Sequence, residues 1–411
     1  MRHHAGRIAL FILIVAGAVL LLAFANYRFA LQQPGGNDFL ARWTGAHAWI
    51  VEGINPYDPA VSLAAQQMIY GREADPAAGE DVAHFVYPLP AMLFFAPFGL
   101  LPYTLARALW MTLLEISLPL LVFLSLRWLE WRPGKGLLAF FLFFSMFWYH
   151  GVRAVVVGQF AVVEAVLMLL ALLLYHRRRD TAAGISLALT IAKPQMAFLL
   201  IPFLLVHAVS RRRWRFVLSS AGAFVVLMLA SELLLPGWLL DWIRQLQDYP
   251  AYTSIGSPIS ILAGFVPGAK QVINIVLTAA LLGGMLWSWL RACREGGEVF
   301  LKAAMLTLVV TNLVAFRTAT TNYVVLLPVL LYIVKYWVAR SARRGTIAAV
   351  LAMIILLVGI WVLFLLTVDG NIEGALPYLP LPLLTLAGVV FLSPGRRPED
   401  DVREFSGGRV G

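Results

Sequence analysis

Long apolar runs recur along the whole 411-residue chain, and no other feature restricts its possible folds as much. Hydrophobic residues make up 61% of the sequence and charged residues only 13%, so the runs are not a single anchor on a water-soluble domain. The pattern predicts an all-α polytopic membrane protein. Twelve runs have spanning or near-spanning length, at 8–27, 104–127, 137–150, 160–176, 182–193, 195–209, 214–235, 270–291, 300–316, 320–338, 345–368 and 376–392.

The distribution of charge between the runs indicates how they thread the membrane. If they cross alternately, the segments on one side hold 23 of the 32 basic residues but only 8 of the 22 acidic ones. Such an excess marks the cytoplasmic face, so the net charge of +10 indicates topology and not a nucleic-acid partner. We expect a multi-pass protein of the cell membrane with both termini in the cytoplasm. Residues 1–393 would form one transmembrane domain and 394–411 a disordered cytoplasmic tail.

The segment 182–209 is too short for two full spans, although basic clusters on both sides require an even number of crossings. Two short half-helices that meet at Ala192–Gln195 (AKPQ) would satisfy both conditions. Non-helical backbone at membrane depth is tolerated where it lines a cavity, and such cavities usually contain the functional site. The break therefore predicts a cavity near Lys193.

On this threading, residues 28–103 form the one large outer loop. Its first part, Asn37–Glu52, is predicted to form an amphipathic helix that lies in the membrane interface. The apolar positions at helical spacing are Phe39, Trp43, Ala46 and Ile50.

Two further sequence patterns predict helices in the rest of the loop. Asp58 is expected to cap a second helix that has Pro59 at its first position. The stretch Phe85–Pro102 has too many prolines for a full span and predicts a short re-entrant or interfacial helix.

Asp38 lies where the first span meets the outer loop, and two interpretations of it remain open. As an N-cap, its carboxylate would satisfy free backbone N–H groups at the start of the amphipathic helix. As a general base, the same carboxylate would take a proton from an acceptor hydroxyl at the boundary of lipid and water. Residue spacing does not decide between them.

An ordered set of motifs in this sequence resembles glycosyltransferase family 87, a group of GT-C-fold membrane transferases that use polyprenyl-phosphate sugars. The resemblance covers 8–235 well and the C-terminal third only loosely. Each motif alone is weak, but the ordered set is fairly specific. In chain order the motifs are Asp38 followed by PYD, FVYPLPAMLFFAPFGLLPYTLARALW, GQF at Gly158–Phe160, RRRDTAAGISLALTIAKPQ and RRRWR.

The resemblance implies a GT-C-like bundle that transfers a sugar, with mannose the first expectation, to a lipid or glycan acceptor on the extracytoplasmic side with inversion. It places the catalytic base at Asp38. It implies no cofactor, since the polyprenyl-phosphate sugar is a co-substrate. The family often has a histidine near the late LP span, where this chain has Asn322, and an amide can neither carry a charge nor shuttle a proton.

Inverting transfer also needs positive charge for the departing lipid phosphate, opposite the base. Three basic residues outside the cytoplasmic clusters are candidates: Arg153, Lys193 and Arg317. Each has a structural alternative. The arginines would instead anchor helix ends at the membrane surface, and Lys193 would pair with a buried acid such as Glu164.

The remaining candidates are Gln159 and Asn322 for the donor, with Arg42, Tyr87 and Tyr323 as supporting residues. Gln159 would bridge sugar hydroxyls or satisfy a helix end. Arg42, one turn after Asp38, would hold its carboxylate ionised or lie on a solvated face. Tyr87 would alternatively belong to an aromatic belt at the membrane surface.

Metal and redox chemistry have little support in the sequence. The single cysteine, Cys293, permits neither an intrachain disulfide nor a thiolate metal site. The histidines and acids are not spaced as metal ligands, so we expect no obligatory metal.

Two other functions remain open. A transporter or flippase of lipid-linked sugars should show matched broken helices in both halves of the chain, but only one break is evident. A non-catalytic subunit of a glycan assembly complex should have a closed interior.

Overall fold

Within the residues that the computed structural model describes, the chain is helical and has no β-strand. The described residues are 2–33, 35–252, 256–315, 318–370 and 372–392. Seven helices are long and apolar enough to span a membrane, and the bent pair Lys135–Phe147 and Tyr149–Val157 makes an eighth if it counts as one span. The predicted class, an all-α polytopic membrane protein, is therefore confirmed.

The α-helices of the described residues are numbered in chain order. Those of the first part are α1 (Arg2–Gln32), α2 (Asn37–His47), α3 (Pro59–Tyr70), α4 (Met92–Gly99), α5 (Tyr103–Trp128), α6 (Lys135–Phe147), α7 (Tyr149–Val157), α8 (Ala161–His176), α9 (Asp180–Leu189) and α10 (Pro194–Ala197). The others are α11 (Leu200–Ser210), α12 (Trp214–Leu234), α13 (Trp238–Tyr252), α14 (Pro258–Gly264), α15 (Lys270–Glu295), α16 (Gly297–Val314), α17 (Leu327–Arg340), α18 (Ala342–Thr367) and α19 (Pro380–Phe391).

Short segments of other helix types connect these elements. One π-helical turn, Ala48–Glu52, continues α2. The 3₁₀ segments are Pro76–Ala78, Leu89–Ala91, Thr190–Ala192, Pro267–Ala269, Thr320–Leu326 and Leu376–Tyr378.

Each of the twelve apolar runs contains helical structure, but not all of them are long enough to cross a bilayer. A hydrocarbon core about 30 Å thick needs about 20 helical residues. Four of the runs form helices of only 10–17 residues, namely Ala161–His176, Asp180–Ala192, Leu200–Ser210 and Leu376–Phe391. The number of twelve complete spans therefore stays a prediction.

The helix break near Lys193 forms where the sequence predicts it. The 3₁₀ segment that follows α9 ends at Ala192, and Lys193 leaves the helical region with φ −137° and ψ 70°. Pro194 is the cause, because its ring disfavours helical geometry at the preceding residue. The chain then continues as the single turn α10 and the short α11.

The bundle has two distinct ends. At the first, which we call the basic end, α5, α8 and α11 terminate together. His176 contacts Glu130 at 3.1 Å, and the Arg213 guanidinium donates to the Tyr175 carbonyl at 2.7 Å. The outer loop lies at the other end, because the 26 residues of α5 extend about 39 Å from Trp128 back to Tyr103.

Helix α1 lies along α5 with most of its surface exposed. One polar contact fixes the pair at mid-span. The Asn26 side-chain amide donates to the Thr112 hydroxyl at 3.0 Å and to the Glu115 carboxylate at 2.6 Å. A buried amide and a partly buried acid thus satisfy each other where an unpaired polar group would be costly.

Helix α2 does not expose its apolar stripe as an interfacial helix would, and its position relative to the membrane stays a prediction. Its apolar stripe packs against protein, and Phe39, Trp43 and Ala46 are buried. The Phe39 ring stacks on Trp110 of α5, with centroids 5.1 Å apart and planes 12° apart. Aromatic side chains of α4 and α5 therefore cover a face that the sequence pattern assigns to lipid.

The rest of the outer loop agrees better with the sequence. The Asp58 carboxylate accepts a hydrogen bond from the Ala60 amide at 2.8 Å, so it caps α3 as predicted. Phe85–Pro102 forms a 3₁₀ turn and the eight-residue α4.

Helix α13 attaches the outer loop to the second half of the chain. The Asn55 amide donates to Asp241 at 2.9 Å, and Trp242 donates to the Val86 carbonyl at 3.1 Å. These bonds hold the two sides of the loop against one amphipathic helix.

Candidate active site

The structure places Asp38 inside the first turn of α2. The N-cap position belongs to Gly36, at φ 74°, so the interpretation of Asp38 as an N-cap is wrong. Its carboxylate lies 3.4 Å from the Arg42 guanidinium, as the i, i+4 spacing predicts, and its side chain is 32% exposed. Asp38 therefore carries a carboxylate that is paired with Arg42 and still partly accessible.

A continuous series of contacts leads from Arg42 to Lys193. The Arg42 guanidinium lies 4.7 Å from the centre of the Tyr87 ring. The Tyr87 hydroxyl donates to Gln159 Oε1 at 3.1 Å, and the Lys193 ammonium donates to the same oxygen at 2.7 Å. Four segments distant in sequence thus meet at one place.

Lys193 is buried, and its ammonium binds neutral oxygens. Besides Gln159, it donates to Asn322 Oδ1 at 2.8 Å. The charges of Asp38, Arg42 and Glu164 also act on it. Glu164 is not its hydrogen-bond partner, since both carboxylate oxygens are buried without one among the described residues. The predicted alternative, a direct pair with Glu164, is therefore wrong.

We call this group the lysine cluster. Its members are Asp38, Arg42, Tyr87, Gln159, Lys193 and Asn322. All six are candidates from the sequence, and the structure connects them.

The GQF turn explains how Gln159 reaches this position. Gly158 ends α7 with φ 74°, a backbone conformation that glycine adopts without strain. A Cβ atom at Gly158 would overlap the Cβ of Phe39, so the turn lies directly against the first turn of α2. Trp110 fixes it further by donating to the Gly158 carbonyl at 2.9 Å.

A small pocket opens beside Asp38. Its volume is about 40 Å³, and its lining includes Asp38, Arg42, Asp81 and His84. A single water molecule needs roughly 10–15 Å³ of such space, so the pocket has room for a few waters but not for a sugar ring. Entry of a sugar would therefore require part of the lining to move, and four of the lining residues, Asp81, Ala83, His84 and Val86, belong to the outer-loop segment 81–86.

Arg153 belongs to a second group, which we call the Glu373 cluster. Its guanidinium lies 3.8 Å from the Glu373 carboxylate. The same carboxylate accepts hydrogen bonds from the hydroxyls of Tyr149, of Thr320 at 3.0 Å and of Tyr378 at 3.4 Å. Arg153 is thus engaged by an acid, although its side chain stays 28% exposed.

Sequence reasoning missed Glu373. It lies between α18 and α19, in a part of the chain where the motif resemblance is loose. Burial raises the pKa of its carboxyl, because the charged form is poorly solvated there. The only available signal was an acid in a short loop between two apolar helices.

Comparison with known families identifies the chain. The model of glycosyltransferase family 87 matches residues 85–311, just over half of the sequence. The chain belongs to glycosyltransferase family 87. It is therefore a membrane glycosyltransferase, which requires a sugar donor and an acceptor. No curated protein and no solved structure matches it significantly.

The family 87 match includes some members of the lysine cluster but not others. Tyr87, Gln159 and Lys193 lie inside the matched range, whereas Asp38 and Asn322 lie outside it.

Besides Arg153, two predicted site residues are not named in the lysine cluster, Tyr323 and Arg317. Tyr323 is fully buried and donates to the Tyr378 carbonyl at 3.1 Å, while its ring packs on His150. It therefore supports the Glu373 cluster from within the core. Arg317 lies outside the described residues, as does the tail 394–411.

Among the described residues of this family 87 enzyme, no group of three His, Cys, Asp or Glu side chains is placed to hold a metal ion. Independence from a metal stays a prediction.

Proposed function

We propose that the enzyme transfers a sugar, mannose first among the candidates, from a polyprenyl-phosphate donor to a hydroxyl of a lipid or glycan acceptor. The reaction takes place within a GT-C-like bundle, on the extracytoplasmic face of the cell membrane. One observation carries the proposal: Asp38 and Lys193, far apart in sequence, belong to one polar network at the outer-loop end.

The chemistry assigned to Asp38 is general base catalysis. Its carboxylate takes the proton from the acceptor hydroxyl as the oxygen attacks the anomeric carbon. The bond from that carbon to the phosphate oxygen breaks, the phosphate leaves with the electron pair, and the configuration inverts. The partial exposure of the Asp38 side chain, which stays 32% accessible beside Arg42, supports this role.

The charge that stabilises the leaving phosphate is assigned first to Lys193. Its ammonium is bound by two amide oxygens, which carry no charge to cancel its field. Arg153 is assigned a second contact with the phosphate, since it is partly exposed and ends in the planar fork that suits phosphate oxygens.

The remaining members of the lysine cluster are assigned positioning roles. Gln159 and Asn322 orient the ammonium, and Tyr87 holds Gln159 between Arg42 and Lys193. The segment 81–86 moves outward when the acceptor binds, which gives the small pocket room for a sugar.

The test is the variant Asp38→Asn, assayed with radiolabelled polyprenyl-phosphate mannose and a membrane lipid extract, with products identified by mass spectrometry. Loss of a general base should reduce transfer by about 10²- to 10⁴-fold. Asp58→Asn is the matched control, a carboxylate of the same loop whose capping role asparagine fills equally well. It should retain wild-type activity.

Other results would redirect the proposal. Full turnover by Asp38→Asn would remove the base assignment. Movement of donor across the bilayer without any acceptor product would favour a transporter.

A further inference from the structure

A second pocket lies at the basic end, on the opposite side of the bundle from the lysine cluster. Its volume is about 560 Å³. It is formed where α5 ends, α6 begins and α8 ends. The lining residues are Phe123, Leu126, Arg127, Glu130, Trp131, Arg132, Pro133, Leu138 and Arg177.

The pocket is strongly cationic. It contains the guanidinium groups of Arg127, Arg132 and Arg177 and only one carboxylate, that of Glu130. That carboxylate lies 3.1 Å from His176. In the part of the chain that the structure describes, the three arginines are in no ion pair. With three guanidinium groups and one carboxylate, the pocket has a net positive charge that favours an anion.

An apolar stripe leads from the pocket along α5 into the span. The side chains of Leu113, Ile116, Leu120 and Phe123 are exposed by 40%, 41%, 40% and 47%. Their spacing of three and four residues puts them on one helix face, and Arg127 continues the same face into the pocket. A cationic pocket thus stands at the end of an open apolar track.

We propose that this pocket binds the head group of an anionic glycerophospholipid, with one acyl chain along the α5 stripe. Guanidinium groups bind phosphate oxygens through paired N–H donors. Basic residues at the end of a span attract anionic lipids of the adjacent leaflet. A free phosphate ion would contact the arginines but not the apolar stripe. An anionic lipid would contact both, so the two features together favour a lipid. The site is independent of the sugar transfer proposed at the other end.

The test uses the full-length protein in detergent with phosphatidylglycerol or phosphatidylcholine, and native mass spectrometry to count retained lipids. The wild-type chain should retain phosphatidylglycerol in preference to phosphatidylcholine. The triple variant Arg127→Gln, Arg132→Gln, Arg177→Gln should retain it about 100-fold less, the combined effect of three cationic contacts of usual strength.

A matched control carries the same charge change at exposed positions of the chain outside the pocket, Arg212→Gln, Arg343→Gln and Arg344→Gln. It should bind like the wild type. Equal loss in the control would show a diffuse charge effect and overturn the site. Complete competition by millimolar inorganic phosphate would show an anion site without lipid selectivity.

A measurement on the unchanged chain covers the case in which the triple variant does not fold. Phosphatidylglycerol with a photoreactive acyl chain should label the α5 peptide that contains Leu113–Phe123. Labelling confined to other helices would overturn the proposal.

Discussion

The lysine cluster and the Glu373 cluster each contain a candidate for contact with the donor phosphate, Lys193 and Arg153, but the groups that bind these two cations differ in charge. Lys193 donates to the neutral oxygens of Gln159 and Asn322. Arg153 faces the Glu373 carboxylate. Neutral acceptors orient a cation and leave its field largely intact, whereas a carboxylate cancels much of that field.

The two clusters also differ in what they hold together. Glu373 binds side chains from α7, from the segment Thr320–Leu326 and from the loop before α19. It therefore stabilises the architecture around Arg153. The lysine cluster instead connects a carboxylate to an ammonium through the Arg42 guanidinium and the neutral side chains of Tyr87 and Gln159. This difference suggests that Lys193 acts in the chemistry and Glu373 in the fold.

The largest expected effect follows from removing the charge of Lys193. Lys193→Gln keeps an amide donor near Gln159 and Asn322 but has no positive charge to stabilise the departing phosphate. We expect kcat to fall by about 10²- to 10³-fold, as when one preorganised electrostatic group is lost. Arg153→Gln should lower kcat less, because Glu373 already offsets its charge. Steady-state kinetics of the two variants measure the difference.

Lys270→Gln, at an exposed position at the start of α15, makes the same chemical change as Lys193→Gln and should leave kcat unchanged. If Arg153→Gln proved the more damaging variant, the comparison between the clusters would be reversed.

The second effect is on stability. Glu373→Ala leaves the hydroxyls of Tyr149, Thr320 and Tyr378 without their acceptor, and each buried unpaired donor costs about 1–3 kcal/mol. We expect a clear fall in the thermal unfolding temperature in detergent. Glu373→Gln, which keeps an acceptor oxygen, should lower that temperature by less than half as much.

Glu52→Ala provides the reference, since it removes an exposed carboxylate from the outer loop. Its unfolding temperature should stay close to that of the wild type. A Glu373→Ala protein as stable as this reference would show that the cluster does not hold the fold together.

Local patterns in the sequence predicted much of the architecture. The helix break at Lys193 follows from Pro194, and the pair of Asp38 with Arg42 follows from helical spacing. The capping of α3 by Asp58 and the helical structure of the apolar runs also follow from local sequence patterns. Ordered motifs also selected Gln159 as a site candidate, although they did not show which residues it contacts.

Features that depend on tertiary contacts were not predictable in this way. The apolar stripe of α2 has the same periodicity whether lipid or protein covers it, and only the packing of Phe39 on Trp110 distinguishes the two. Glu373 resembles any loop acid until Tyr149 and Arg153 are placed around it. Tyr323 is adjacent to Asn322 in the sequence, but it contacts the Glu373 cluster and not the lysine cluster. Sequence adjacency alone does not predict this separation.

The smallest predicted effect concerns the turn that joins the two clusters. Gly158 lies between Arg153 on α7 and Gln159 of the lysine cluster. Gly158→Ala combines a left-handed backbone, which costs about 1–2 kcal/mol for a residue with a Cβ, with overlap against Phe39. Unfolding temperature and transfer activity should both fall, because the overlap pushes the turn away from α2 and so moves Gln159 relative to Tyr87 and Lys193.

Gly53→Ala separates these two contributions. Gly53 has a similar φ of 71°, but an added Cβ there meets nothing within 4 Å, so only the backbone cost applies. Gly53→Ala should lower stability slightly and leave transfer unchanged. Any loss of stability and activity in Gly158→Ala beyond that in Gly53→Ala then measures the effect of the close contact between the turn and α2. If the two variants behaved alike, the contact between Gly158 and Phe39 would not be what positions Gln159 for its hydrogen bonds to Tyr87 and Lys193, and the lysine cluster would need another source of its geometry.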